Sequence, residues 1–538
     1  MTGSDTPSPI FDYIIIGAGT AGCVLAARLS ENPALRVCLV EAGGSEQHPY
    51  IRIPAAVGAA IMSARFGWGL ATTPQAALNG RVVPLPRGKL LGGSGSINGM
   101  AYYRGHARDY DDWADAGNRG WSYRDLLPYF LRAEDNPEYA GSPYHNVGGP
   151  MRVSFMPRTN ALCEAFNAAM AGLGFPHCPD FNVPEPEGFG YRQGTIQDGK
   201  RVSTASAYLR PALSRRNLTL LADTATRRVI LDDGRATGVE IQAAAGKQTL
   251  HAAREVIVCA GAFHSPHILL HSGIGDSIEL AAAGIEAVHH LPGVGRNLTD
   301  HPATYVAMDT DDCTSYGLSW KALPRNLWNG LEYLVARGGP LASNLFETNA
   351  YIRSQPGLDR PDMQVVFQPA RRNVKPFPLP LGHGFAISLV CLYPQSRGTV
   401  KVSNNDPLAP PLIDPALGSA QADIDTLVRG LRLARRVFAH AAFRRYRAHE
   451  RMPGPTIGDD DAALEAYVRN TLATVHHPGS TCRMGSDPLA VVDHELRVHG
   501  LTGLRVADAS IYPRLVGANT NASVVAIAEK AADMLRSS

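Results

Sequence analysis

The chain has 538 residues, which at roughly 100–200 residues per domain implies two or more domains. Glycine supplies 53 of them without a Gly-X-Y period, and 45% hydrophobic with 19% charged residues excludes both collagen and a disordered chain. The 51 basic and 49 acidic residues leave a net charge of +2, too small a surplus for a nucleic-acid binder.

Residues 1–9 lack a basic start and an apolar stretch, so no secretory signal is expected. The first predicted element is a β-branched strand over 11–16. It ends at Gly17-Ala18-Gly19-Thr20-Ala21-Gly22 and passes into a helix over 20–30, followed by a strand over 36–41. Strand, glycine turn, helix and strand within about 30 residues make a βαβ unit carrying GxGxxG. The first glycine permits the tight turn, the second lets backbone approach a pyrophosphate, and the third lets helix and strand meet. Glu41, ending the second strand, suits an adenosine ribose and disfavours a 2′-phosphate, so NADP is not expected. This turn does not separate FAD from NAD.

A second glycine cluster, Arg87-Gly88-Lys89-Leu90-Leu91-Gly92-Gly93-Ser94-Gly95-Ser96-Ile97-Asn98, can present backbone N–H groups to an anion or a flat ring. The middle of the chain, with Pro324-Arg325-Asn326 and Pro376 to Pro380, reads as a mixed region of long loops. Near the end come His476-His477-Pro478, a strand over 503–507, Asn519-Thr520-Asn521 and a helix over 522–535. An imidazole suits proton removal at neutral pH, and an amide donates to developing negative charge without titrating. The eight cysteines show no metal-ligand spacing, and no apolar run reaches 18 residues. Reduced thiols, no metal, no membrane span and a cytoplasmic location, or one peripheral at the inner membrane, are therefore expected.

The two glycine clusters, the stretch from Gly261 to Gly275, Trp68 with Thr72 and Pro74, Tyr103-Arg104-Gly105, residues 203–209, and Leu291 to Leu298 followed by Asp300-His301 resemble the glucose-methanol-choline (GMC) oxidoreductases. So do Val506 to Ser510 and the His-His-Pro stretch, and the likeness runs from residue 11 to about 530, closest to the bacterial alcohol and choline dehydrogenase branch. It implies a mixed α/β and α+β fold: a Rossmann-like FAD-binding domain over 1–155, 200–300 and 460–538, and a substrate-binding domain with an antiparallel sheet over 156–199 and 301–459. FAD would be held by Gly17, Gly19, Thr20, Ala21, Gly22, Glu41, Ala42, Arg87, Gly92, Gly93, Ser94, Asn98, Gly99 and Met100. Asp508, Ala509, Asn519, Thr520 and Asn521 would complete its site.

The resemblance makes His477 the base and Asn521 the amide that stabilises the alkoxide, with His476 in support and Asn519 orienting the loop or touching flavin. Glu347 resembles a substrate glutamate of choline-oxidising relatives; Trp320, Phe346 and Tyr351 are candidates for an aromatic box, and Arg371, Arg372 and Lys375 for a carboxylate site. Ile97 occupies the position where some relatives attach FAD through histidine, so non-covalent FAD is expected. The implied reaction takes an alcohol to an aldehyde or ketone, with hydride to flavin N5 and electrons passed to a quinone-like acceptor or dioxygen. A flavin photodecarboxylase and a non-catalytic flavin-binding protein are the alternatives.

Overall fold

A computed structural model describes residues 10–372 and 381–537. The apolar run at the start forms the strand Ile10–Ile16, with Ile14 and Ile15 completely buried. It lies parallel to Val37–Val40 on one side and to the second half of the long strand Gly246–Val258 on the other. Leu218–Leu221 and Leu504–Val506 extend this parallel core at its two ends. The first half of Gly246–Val258 leaves the core and pairs antiparallel with Arg235–Ala243, which pairs in turn with Ala225–Asp232. A strand buried on both faces needs a near-continuous apolar sequence, which these core strands have.

The second sheet is antiparallel, in the order His449–Met452, Pro302–Asp309, Gly384–Cys391, Met363–Gln368, Thr348–Ile352, Gly188–Tyr191, with Ala473–Thr474 also pairing Pro302–Asp309. The helix Gln421–Ala439 covers it, burying Ile424, Leu427, Leu431 and Ala434 at helical spacing. The helix Asp461–Thr471 buries Leu464 and Val468 in the same core, so the chain's last crossing into the first body follows Thr474. The two sheets thus draw on interleaved segments of the chain.

The loop reading around Pro324 gives way to a helix, Leu323–Ala336. Pro324 stands in its first turn, where the missing N–H has no intrahelical partner to lose. Lys375 lies outside the described residues. All eight cysteines are free. No helix among the described residues is long and apolar enough to cross a membrane, and no group of His, Cys, Asp and Glu among them could hold a metal.

Candidate active site

The βαβ turn is closed by backbone contact. A Cβ on Gly22 would fall 1.9 Å from the Gly17 carbonyl oxygen, and one on Gly17 (φ +95°) would fall 2.7 Å from that of Cys259. Neither position admits a side chain. At Gly19 the nearest atom to such a Cβ is 3.8 Å away, so this glycine keeps open the space over the N-terminus of the helix Thr20–Leu29. That end has no side-chain cap, leaving its N–H groups and positive dipole for an anion.

The second glycine cluster docks directly onto the first. Gly92 N donates to Ala18 O at 2.7 Å, and a Cβ on Gly93 would lie 2.9 Å from Gly19 Cα. Glu41 braces the same turn: its Oε2 accepts from Ala18 N and its Oε1 from Gly43 N, both at 2.8 Å. Burial pushes its carboxyl up to about 7 despite these two donors.

A cavity of about 920 Å³ runs from this turn to the antiparallel sheet. Gly17, Gly19, Thr20, Ala21, Glu41, Ala42, Arg87, Gly93, Ser94, Asn98, Gly99, Asp508, Ala509 and the stretch Asn519 to Asn521 line it, as does Ile97. Three expected cofactor residues do not. Gly22 faces Gly17, Gly92 is spent on Ala18, and Met100 is buried with Val57, Met156 and Ile196. Size, the bare helix end and the cradle of glycines fit a long dinucleotide with a pyrophosphate at its middle.

His477 lines the same cavity. Its backbone N–H donates to Asp300 Oδ1 at 2.7 Å. Its Nδ1 lies 3.0 Å from His301 Nδ1, and its Nε2 lies 3.0 Å from Asn519 Nδ2. Burial, with smaller contributions from His301, His476 and Arg87, drives the His477 imidazole well below its usual 6.5, and burial takes His301 to about 4. Two neutral rings can share one proton across their Nδ1 atoms. With the Asn519 amide as donor, the tautomer that satisfies both contacts carries the His477 proton on Nδ1, facing His301 Nδ1, and its Nε2 lone pair accepts from Asn519. Asp300 is raised to about 6 by burial, which outweighs the opposing charge of Arg87.

The amide that meets His477 is therefore that of Asn519, not that of Asn521. Asn521 opens the helix Asn521–Ser537 and accepts from Thr20 Oγ1 at 2.9 Å, which ties the C-terminal helix to the pyrophosphate turn. His476 lines the cavity with a left-handed backbone (φ +67°), its Nδ1 3.2 Å from Thr474 Oγ1 and its carbonyl bonded by Arg87 Nη2 at 2.6 Å. Burial, with Arg87 and Arg372 nearby, lowers its ring to about 3.

Glu347 is elsewhere. Its carboxylate is fully buried, takes Tyr316 OH and Asn160 N at 2.7 Å and Ser343 Oγ at 2.8 Å, and borders a separate cavity of about 410 Å³. The aromatic box does not assemble: Trp320 is 89% exposed, Tyr351 packs between Tyr103 and Phe181, and Phe346 alone of the three lines the main cavity. Arg371 is spent on Asp309 through bonds of 2.9 and 2.6 Å, whereas Arg372 lines the cavity. Sequence reasoning gave Asp300 and His301 no role, and Arg192, which also lines the cavity, had no motif to mark it.

Comparison with known proteins agrees with this fold. Two GMC oxidoreductase family models match, one over residues 11–303 and one over 394–528. The chain is 42% identical to an oxygen-dependent choline dehydrogenase of Rhizobium johnstonii, covering 97% of this chain and 95% of that one. It is 38% identical to an alcohol dehydrogenase [acceptor] of Pseudomonas putida, covering 98% and 96%. Among solved structures it resembles pyridoxine 4-oxidase from Mesorbium loti (33% identity, TM-score 0.88, 98% and 99% covered) and formate oxidase of Aspergillus oryzae (26%, TM-score 0.90, 99% of each). With family matches over most of its length and a dinucleotide cavity leading to a buried histidine, the chain belongs to the GMC oxidoreductases, a family of FAD-dependent enzymes.

Proposed function

We propose that the protein oxidises a primary alcohol to the aldehyde with His477 as base and Asn519 as its partner. FAD, when bound, supplies the acceptor for the hydride leaving the α-carbon. The alcohol hydroxyl takes the place of the Asn519 amide at His477 Nε2 and donates to that lone pair, which takes its proton. Asn519 Nδ2 donates to the alcohol oxygen as negative charge develops there. His301 holds the His477 ring through Nδ1, and Asp300 holds its backbone. The glycine turn and the N-terminus of the helix Thr20–Leu29 would hold the pyrophosphate, and Glu41 the ribose hydroxyls.

The observation that carries this reading is the pairing of His477 Nε2 with Asn519 Nδ2 at 3.0 Å inside the cavity that begins at the GxGxxG turn. The names of the curated relatives support an alcohol as substrate. Ile97 has no nucleophilic atom, so the cofactor is held without a covalent bond, and acid denaturation should release all yellow colour. Anaerobic mixing with a panel of alcohols should bleach the flavin absorption, and subsequent mixing with dioxygen or a quinone dye identifies the acceptor. Absence of bleaching by every alcohol would overturn the reading.

A further inference from the structure

Two arginines line the cavity without an ion pair among the described residues, although Arg192 also borders the smaller cavity that Glu347 borders. Arg192, at the end of the strand Gly188–Tyr191, is only 4% exposed. Its guanidinium lies over the Phe346 ring at 5.5 Å, its Nη2 reaches Gly99 O at a long 3.5 Å, and its Nε has no hydrogen-bond partner. Arg372, beyond the strand Met363–Gln368, lies flat over Tyr305 at 3.8 Å and reaches Ser388 Oγ at 3.5 Å. Neither forms an ion pair among the described residues, and the sequence 373–380 contains no acid to serve either.

The carboxylates that line the cavity are committed elsewhere. Glu41 takes two backbone amides at the turn; Asp508 takes Gly261 N at 2.8 Å and Ser265 Oγ at 2.5 Å. Glu347, whose charge would suit a cationic alcohol, is saturated by its own neighbours outside this cavity. Tyr305 and Ser388 place Arg372 on the antiparallel sheet, and Arg192, between Phe346 and Gly99 O, stands where that sheet meets the second glycine cluster. A buried guanidinium with an unsatisfied N–H is costly unless an anion completes it.

We infer that the alcohol oxidised here carries an oxyanion, a carboxylate or a phosphate monoester, which Arg192 and Arg372 bind while its hydroxyl meets His477. The inference rests on the alcohol-oxidation reading above and adds the substrate's charge. A fixed cation such as choline would meet two unpaired positive charges and no aromatic box.

The test compares kcat/KM of the FAD-loaded enzyme for an ω-hydroxycarboxylate, an ω-hydroxyalkyl phosphate, the neutral alcohol of equal chain length, and choline. One of the two anions should exceed both the neutral alcohol and choline by at least about tenfold, and which one does so identifies the anion. Loss of a charge-assisted hydrogen bond is worth about 1.5–3 kcal/mol, so R192Q and R372Q should each narrow the anion-to-neutral ratio about tenfold or more. The effect should fall on KM, and R192K should restore part of it. Flavin absorbance confirms that each variant is loaded. A neutral alcohol or choline preferred over both anions, or a ratio unmoved in both variants, overturns the inference while alcohol oxidation stands. Failure of every alcohol to reduce the flavin removes the alcohol reading and this one with it.

Discussion

Asn519 Nδ2 lies 3.0 Å from His477 Nε2, whereas Asn521, two residues on, turns its Oδ1 to Thr20 at 2.9 Å. The two amides should therefore fail differently. Asn519→Ala is expected to lower the rate of flavin reduction by about 10²–10³-fold, the range for losing one donor to a developing charge, with FAD content unchanged. Asn521→Ala should weaken FAD retention more than it slows reduction. Rapid-mixing kinetics together with flavin-to-protein ratios separate the two; equal kinetic defects with full FAD would contradict the assignment.

Removing the base itself is the stronger test. His477→Ala should reduce flavin about 10²–10⁴-fold more slowly. A variant that still bound FAD and was reduced at the wild-type rate would end this role for His477.

The pH dependence of the intact enzyme follows from burial. Desolvation penalises the imidazolium, so the His477 pKa lies below 6.5 and the ring remains a neutral base as pH falls through that value. The acid limb of kcat/KM is expected to have its midpoint under pH 6.5. A midpoint near 7 or above would mean that neighbouring groups stabilise the imidazolium in the free enzyme and would contradict this expectation.

The two ends of GxGxxG can be separated by alanine. At Gly22 a Cβ would meet backbone at 1.9 Å, so Gly22→Ala should lower the stability of the apoprotein by about 1–3 kcal/mol through forced backbone movement. At Gly19 nothing lies within 3.8 Å, so Gly19→Ala should leave apoprotein melting nearly unchanged and weaken FAD binding instead. Melting curves with and without added FAD give both readings. Equal melting of the two apoproteins would contradict this division.

Tyr103-Arg104-Gly105 reads in sequence as part of a family motif, but its arginine serves the fold. Arg104 Nη2 meets Glu134 Oε2 at 2.8 Å with both side chains fully buried, and Glu134 also takes His145 Nδ1 at 3.0 Å. Breaking a buried pair from one side costs about 3–5 kcal/mol, because the remaining charge is stranded. Arg104→Met should show that loss in chemical denaturation, and a loss below about 1 kcal/mol would mean that water reaches Glu134.

The sequence made the βαβ unit legible because each signal was local: a β-branched run, three glycines at fixed spacing and an acid at the end of the next strand. The placement of His477 in the cavity was legible through its motif, and so was the helix after Asn521. The choice between Asn519 and Asn521 was not, since it depends on which amide the entry into the helix Asn521–Ser537 turns toward a ring 42 residues away. Glu347 and Arg192 failed for the same reason in opposite directions. The backbone N–H of Arg192 donates to Glu347 O at 3.1 Å, yet Glu347 borders only the smaller cavity, whereas Arg192 borders both. Partners that neutralise a carboxylate, here Asn160, Tyr316 and Ser343, come from separate segments, and one-dimensional spacing carries no trace of them.

The bond between Thr20 and Asn521 joins residues 501 positions apart, Arg28 meets Glu529 at 2.9 Å, and Tyr13 OH donates to Leu535 O at 3.0 Å. The fingerprint turn is synthesised 501 residues ahead of its packing partner. Through that interval a nascent chain holds the turn and the first glycine clusters without the wall that Asn519 to Asn521 supply. Tight capture of FAD is therefore expected only after the helix Asn521–Ser537 has closed over the helix Thr20–Leu29.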